Sequence, residues 1–191
     1  AIKRLRPERA RSAGASALID SSVRNEIGAA ARVPARIAAR TRYLNIDPGG
    51  DLVLVQDFVD GPTLRTLLND GDVDLTRRLV IAARLTRCIA ALHQRKVAHR
   101  DLKPENIVLR DGVDPVLIDL GLASLIGTGD AFTGMGTPGY APPEQWKAGT
   151  TPAFSGREDI FALGRIIVEL AGPPPQGGWW ARLWARLGGK G

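Results

Sequence analysis

His99-Arg100-Asp101-Leu102-Lys103-Pro104-Glu105-Asn106, followed at once by the apolar run Ile107-Val108-Leu109, is the stretch whose reading decides the fold of this chain. Most of its side chains are charged or polar, yet it is bounded on both sides by apolar pattern. Asp101 and Lys103 stand two residues apart, so in an extended loop their carboxylate and ammonium project to the same side. Pro104 stiffens the loop and keeps it from continuing as helix. Upstream, Leu75, Leu79, Ala82, Leu85, Ile89 and Leu92 recur every three or four residues. That spacing predicts a helix over Leu75 to His93, with an apolar stripe for burial, which delivers the chain to the loop. Downstream, Val116-Leu117-Ile118 predicts a buried strand that ends at Asp119-Leu120-Gly121.

Composition bounds the rest. A chain of 191 residues can bury a substantial core. Its formal charge of +6 is unevenly placed. Residues 1–45 hold ten Lys or Arg and three acids, a net of +7; residues 46–191 hold 16 and 17, a net of −1. Solvated arginines in an Ala- and Arg-rich chain account for that better than a nucleic-acid or membrane surface does. The one cysteine, Cys88, excludes a disulfide framework, fits a reducing cytoplasm, and falls in helical pattern where packing is its expected use. No signal peptide, no apolar run near the ~18 residues of a membrane span, and no solenoid repeat is visible.

Taken in order, the chain opens on Ala1-Ile2-Lys3, a short strand pattern. Arg4 to Ser16 reads as a polar connection. A helix is predicted over Ser22 to Arg32, capped by Ser21 or Ser22, with Val23, Ile27 and Ala30 or Ala31 as its apolar stripe; Glu26 falls among them and Pro34 ends it. Tyr43 to Ile46 and Leu52 to Val55 read as strands around Asp47-Pro48-Gly49-Gly50. After Gln56-Asp57-Phe58-Val59-Asp60-Gly61 come a short helix over Pro62 to Asn69 and a loop over Gly71 to Asp74. Residues 122–136 are rich in Gly, Thr and Ser, and Gly136-Thr137-Pro138-Gly139-Tyr140 and Pro142-Pro143-Glu144 follow. A helical run begins at Asp159-Ile160-Phe161-Ala162-Leu163-Gly164 and continues to Leu170. Pro173-Pro174-Pro175 and a Gly pair then lead to Trp179-Trp180-Ala181-Arg182-Leu183-Trp184-Ala185-Arg186-Leu187.

The eight positions from His99 to Asn106 resemble the catalytic loop of eukaryotic-type protein kinases, in the style of the bacterial serine/threonine enzymes. The other motifs resemble that family at matching separations: Ala1-Ile2-Lys3 98 residues before Asp101, Asp119-Leu120-Gly121 18 residues after it, then the Gly-Thr-Pro-Gly-Tyr and Pro-Pro-Glu runs. The resemblance implies a two-lobed α+β fold, with a partial small β lobe over 1–58, a mainly helical large lobe over 59–172, and a Pro/Gly link and tail over 173–191. It implies transfer of the ATP γ-phosphoryl group to a Ser or Thr hydroxyl of a protein, with Mg2+ as cofactor and no nucleic-acid partner. Asp101 would accept or orient the substrate proton, and Lys103 would neutralise the moving phosphoryl group. Asn106 and Asp119 would bind magnesium. Lys3 would hold the α- and β-phosphates, paired with Glu26. Backbone groups of Asp57 and Val59 would bind adenine, with Gln56 at the back of the pocket. Leu120 would pack under the regulatory helix, Asp159 would cap backbone groups of the loop, and His93 and His99 would be structural.

Some expectations follow from departures. The chain starts directly on the lysine strand without Met, so a fragment is expected in preference to a kinase that has lost its glycine-rich loop. A pseudokinase or nucleotide-binding scaffold and a small-molecule kinase are the rival functions, the second disfavoured by the Gly-Thr-Pro-Gly-Tyr platform. Arg100 is expected to grip a phosphate on Thr133 or Thr128. Trp179, Trp180, Leu183, Trp184 and Leu187 share one helical face. Docking on the large lobe, with Arg182 or Arg186 beside Glu144, is the favoured fate of that face over membrane contact.

Overall fold

The computed structural model describes residues 1–5, 13–48, 52–70, 73–120, 122–125, 136–146 and 155–172. The expectations for Thr128, Thr133 and the Trp-rich tail fall outside the described residues. Strands β1 (Ile2–Leu5), β2 (Thr41–Ile46) and β3 (Leu52–Gln56) form an antiparallel sheet in the order β1-β3-β2. Lys3 lies opposite Leu54, which is fully buried, so both side chains leave the same face of the sheet.

Helix α1 spans Ala13–Arg32, starting well before the predicted Ser22. Ser21 and Ser22 therefore lie inside the helix and do not cap it. Ala13, Ala15, Ala17 and Leu18 are strong helix formers and carry the pattern through the serines. The inward stripe also differs in phase. Val23, Glu26, Ala30 and Val33 are buried, whereas Ile27 is 40% exposed and Ala31 is exposed. A buried glutamate on the inner stripe of a helix demands a partner, and Glu26 has two, Lys3 and Gln56.

Beyond Pro34 a turn forms, in which Pro34 accepts hydrogen bonds from the Ile37 and Ala38 N–H groups. The chain then runs beside the hairpin of β5 (Ile107–Arg110) and β6 (Asp114–Leu117). Leu117 donates to Ile37 O at 2.8 Å, and Ala39 donates to Leu117 O at 2.9 Å. This stitch joins the small sheet and its helix to the larger, mainly helical part.

That larger part is built on α2 (Leu64–Asp70), α3 (Leu75–Gln94) and α4 (Arg157–Ala171). The two-residue strands β4 (Val97–Ala98) and β7 (Ser124–Leu125) pair beside them. Asp74 caps α3, its side chain accepting from Arg77 N at 2.9 Å. The buried face of α3 is Ile81, Leu85, Cys88, Ile89 and Leu92, so the predicted stripe holds only in its second half. Leu75 and Leu79 are exposed, because among the described residues none packs over the first turns of the helix on that side. The core gathers this face with Leu102, Ile107, Leu109, Leu117, Leu120, Ile166 and Leu170. Each such side chain contributes about 2 kcal/mol on burial. Cys88 packs as expected, its Sγ near Ile37 O and Pro115 O, and burial pushes its thiol up to about 12. The fold is α+β, a small sheet with one helix above a larger helical body.

Gly61 locks the segment between the two parts. Its φ is +137°, and a Cβ built there would stand 2.3 Å from Leu109 O. Leu109 N donates to Pro62 O at 2.8 Å, and Thr63 bridges Val108. The backbone after β3 thus lies directly on β5, the strand that leaves the His99–Asn106 loop.

Candidate active site

The octapeptide loop is held from beneath by α4. Asp159, fully buried in the first turn, accepts from His99 N through Oδ2 and from Arg100 N through Oδ1, each at 2.8 Å. His93 Nε2 lies 2.8 Å from the same Oδ2, so this nitrogen carries the proton. Burial alone would raise the Asp159 carboxyl, but the His93 bond, His99 and the two N–H groups hold it below the usual carboxylate range. These contacts hold Arg100 in the left-handed conformation, φ +67°, which costs a non-glycine residue roughly 1–2 kcal/mol. Gln145 closes the other side by donating to Arg100 O at 3.0 Å. His99 braces the loop: Nε2 donates to Ile118 O at 3.3 Å and Nδ1 accepts from Asp101 N at 3.4 Å. Both histidines are structural.

Above this base, three polar side chains meet. Thr137 Oγ1 donates to Asp101 Oδ1 at 2.6 Å, while Lys103 Nζ lies 3.0 Å from Asp101 Oδ2 and donates to Thr137 Oγ1 at 2.9 Å. The Asp101 carboxylate therefore accepts a hydrogen bond from a hydroxyl with a cation at its flank. Asn106, in a single 3-10 turn begun by Pro104, donates its amide N–H groups to Asp101 O at 2.9 Å and Oδ2 at 3.2 Å. With the nitrogen so employed, the amide oxygen is the atom Asn106 can offer a cation.

The β5–β6 hairpin decides where the second carboxylate falls. Asn106 precedes β5 and Asp119 follows β6, and Ile118 N donates to Asn106 O at 2.9 Å, so both sit at one end of the ribbon. Lys3 Nζ reaches Asp119 Oδ1 at 2.5 Å and Glu26 Oε2 at 3.4 Å. Asp119 holds a φ of +60°. Gln56 Nε2 donates to the other Glu26 oxygen, Oε1, and to Thr41 Oγ1 at 3.4 Å. Burial outweighs the more distant Lys3 ammonium, so the Glu26 carboxyl lies above its ordinary range. Lys3 is raised: burial works against its charge, but Asp119 and Glu26 together prevail. A hard divalent cation prefers oxygen ligands and keeps several waters. The Asn106 amide oxygen and the Asp119 carboxylate at one ribbon end fit such an ion.

The segment after β3 is tied to the residues just before β2. Asp57 N–H donates to Arg40 O at 2.8 Å, so of its backbone only the carbonyl can serve a ligand. Its carboxylate grips Arg42 with two bonds of 2.6 and 2.9 Å, and the Arg42 guanidinium holds it below the usual range. Val59 is buried with Ala39, Val108 and Val116, a small apolar floor. Leu120 is buried in the same core as Ala29 and Ala30 of α1 and Val33 just beyond it.

Sequence reading missed a second network. Arg65 of α2 donates to Glu105 Oε1 at 2.7 Å, Glu169 Oε2 at 3.1 Å and the Tyr140 hydroxyl at 2.5 Å, and Tyr140 donates to Glu169 Oε1. Burial and the Glu169 carboxylate push the Tyr140 phenol up. One guanidinium thus ties α2, the catalytic-type loop, the Gly136–Tyr140 loop and α4. No local sequence signal marks it, because its partners lie 40, 75 and 104 residues away.

Comparison with known proteins agrees with this geometry. Residues 1–178 match the family model described as "Protein kinase domain". The chain is similar to serine/threonine-protein kinase PknB of Mycolicibacterium smegmatis, 35% identical over 136 residues, 67% of this chain and 21% of that protein. It is also similar to serine/threonine-protein kinase PkaA of Streptomyces coelicolor, 36% identical over 147 residues, 73% of this chain and 26% of that protein. Cysteine-rich receptor-like protein kinase 14 of Arabidopsis thaliana is 35% identical over 133 residues, 64% of this chain and 20% of that protein. The chain spans about a fifth to a quarter of the length of these curated relatives. A loop anchored by Asp159, a lysine shared by Glu26 and Asp119, and a family match over 178 residues lead to one conclusion: this chain belongs to the protein kinase family.

Proposed function

We propose that this chain carries magnesium-dependent transfer of the ATP γ-phosphoryl group to a Ser or Thr hydroxyl of a protein. The observation that carries this reading is the Asp101–Lys103–Thr137 cluster, in which a carboxylate accepts a hydroxyl hydrogen beside an ammonium. Thr137 stands to Asp101 as an acceptor hydroxyl would. Asp101 orients that hydroxyl and takes its proton as the bond to the γ-phosphorus forms and the bond to the β–γ bridging oxygen breaks, with ADP as the leaving group. Lys103 steadies the negative charge of the γ-phosphoryl oxygens.

Lys3 holds the α- and β-phosphates, positioned by Glu26, which Gln56 holds in turn. Asn106 and Asp119 hold magnesium, which when bound neutralises charge on the phosphate oxygens. The Asp57 carbonyl and the Val59 backbone take the adenine edge, over the apolar floor of Ala39, Val108 and Val116. The lobes divide at residues 58 and 59, where Gly61 pins the connection to β5. The serine/threonine kinases among the relatives support a protein hydroxyl as acceptor.

Single-turnover transfer from labelled ATP in the protein carrying this chain tests the reading. Asp101→Asn is expected to lower the rate about 10²- to 10⁴-fold with ATP affinity nearly unchanged. Equal rates in the two forms would remove Asp101 from the mechanism.

A further inference from the structure

The β5–β6 hairpin has two ends. One carries Asn106 and Asp119; the other, around Asp111, borders a groove of about 500 Å³. Four guanidinium groups line it: Arg36 from the turn after Pro34, Arg84 and Arg87 from α3, and Arg110 at the end of β5. Arg84, Arg87, Cys88 and Ala91 are spaced so that one side of α3 supplies both charge and floor. Ile37, Cys88 and Pro115 form the buried apolar base. Among the described residues, the acids in the lining are Asp111 and Asp114; four arginines less two aspartates leave a net charge of +2. Asp114 is already paired with Arg84, so the excess rests on Arg36, Arg87 and Arg110.

A cationic rim over an apolar floor selects a ligand that carries both kinds of group. Guanidinium forks bind carboxylates with two parallel hydrogen bonds, and the floor takes aliphatic side chains. A phosphodiester chain would use the rim and leave the floor unfilled. We propose that this groove docks an extended segment of a partner protein in which acidic and aliphatic residues alternate. The site lies at the opposite end of the hairpin from the phosphoryl-transfer residues and is independent of their assignment. Binding there reaches the same ribbon that positions Asn106 and Asp119.

Fluorescence anisotropy with a labelled peptide of alternating Glu and Leu provides the test, beside an all-Glu peptide, a Lys-Leu peptide and inorganic phosphate as competitor. Saturable binding by the Glu-Leu peptide that weakens with salt is expected. The Arg36→Glu, Arg87→Glu double variant, which changes two exposed side chains, should weaken it at least about tenfold with an unchanged melting temperature. If that double variant melts early, Arg87→Gln replaces it and should still weaken binding. Lack of saturable binding, equal binding by the folded variants, equal binding of the Lys-Leu peptide, or full competition by phosphate would each overturn the proposal.

Discussion

Asp159→Asn is the perturbation that tests how the catalytic-type loop is held. The substitution keeps the shape of the side chain but replaces one oxygen by a donor NH2. If that NH2 takes the Oδ2 place, it faces His99 N–H and His93 Nε2–H; if it takes the Oδ1 place, it faces Arg100 N–H. Either way a buried N–H meets another donor. Hydrogen bonds to a charged acceptor contribute about 1.5–3 kcal/mol each, and removing one member of a buried charged cluster costs about 3–5 kcal/mol. Arg100 at φ +67° then loses the contact that maintains it. For a chain of this size, about 3 kcal/mol corresponds to roughly 6–12 °C of melting temperature.

The pH dependence is a second readout. The Asp159 carboxyl is lowered in the fold, so its stabilisation is present above the ordinary aspartate range and is lost as pH falls through the folded value. The native protein should lose stability below about pH 4 by an amount that the Asn variant does not show. Thermal melts of both forms between pH 3 and pH 8 measure this, with single-turnover transfer alongside. A melting temperature within about 2 °C of native at pH 7, or parallel acid profiles, would refute the anchoring role.

Three further outcomes are expected. In Glu26→Gln the buried carboxylate is gone; because burial raises the folded pKa, the native protein loses stability as pH rises through that value, and the variant should show a flatter melt profile between pH 4 and 8 yet bind ATP more weakly, since Lys3 loses its anchor on α1. Gly61→Ala should destabilise by at least about 1–3 kcal/mol in a denaturant titration, because the added Cβ meets Leu109 O in a backbone conformation that disfavours L residues. Arg65→Ala should lower kcat/KM for a peptide substrate about tenfold while ATP affinity holds, since the guanidinium positions the Gly136–Tyr140 loop and not the nucleotide; parallel losses in both would place its role elsewhere.

The motifs of this chain are contiguous, and that is why so much was legible from sequence. Eight adjacent residues specify a loop whose internal hydrogen bonds, such as Asn106 to Asp101 and Asp101 to His99, are local, whereas its anchors to Asp159, Ile118, Gln145 and Thr137 are not. Helix α3, which leads to the loop, announces itself by apolar spacing, and Asp119 is placed by the end of a strand. Where sequence reading went astray, the missing information was nonlocal. Periodicity shows that α3 has an apolar stripe, but which turns are covered depends on α4 and β6 packing beside it, so Leu75 and Leu79 lie open. Serine is both a cap and a tolerated helix residue, and the alanines ahead of Ser21 and Ser22 decided between them.

Only the tertiary structure decided the rest. It brought Gln56 onto Glu26, Thr137 between Asp101 and Lys103, and Arg65 onto three distant partners. It also gathered arginines from three segments around one groove. Each of these depends on the angle at which elements pack, to within the few ångströms over which a hydrogen bond or ion pair acts. Local propensity specifies the elements; the shared burial of many side chains specifies those angles.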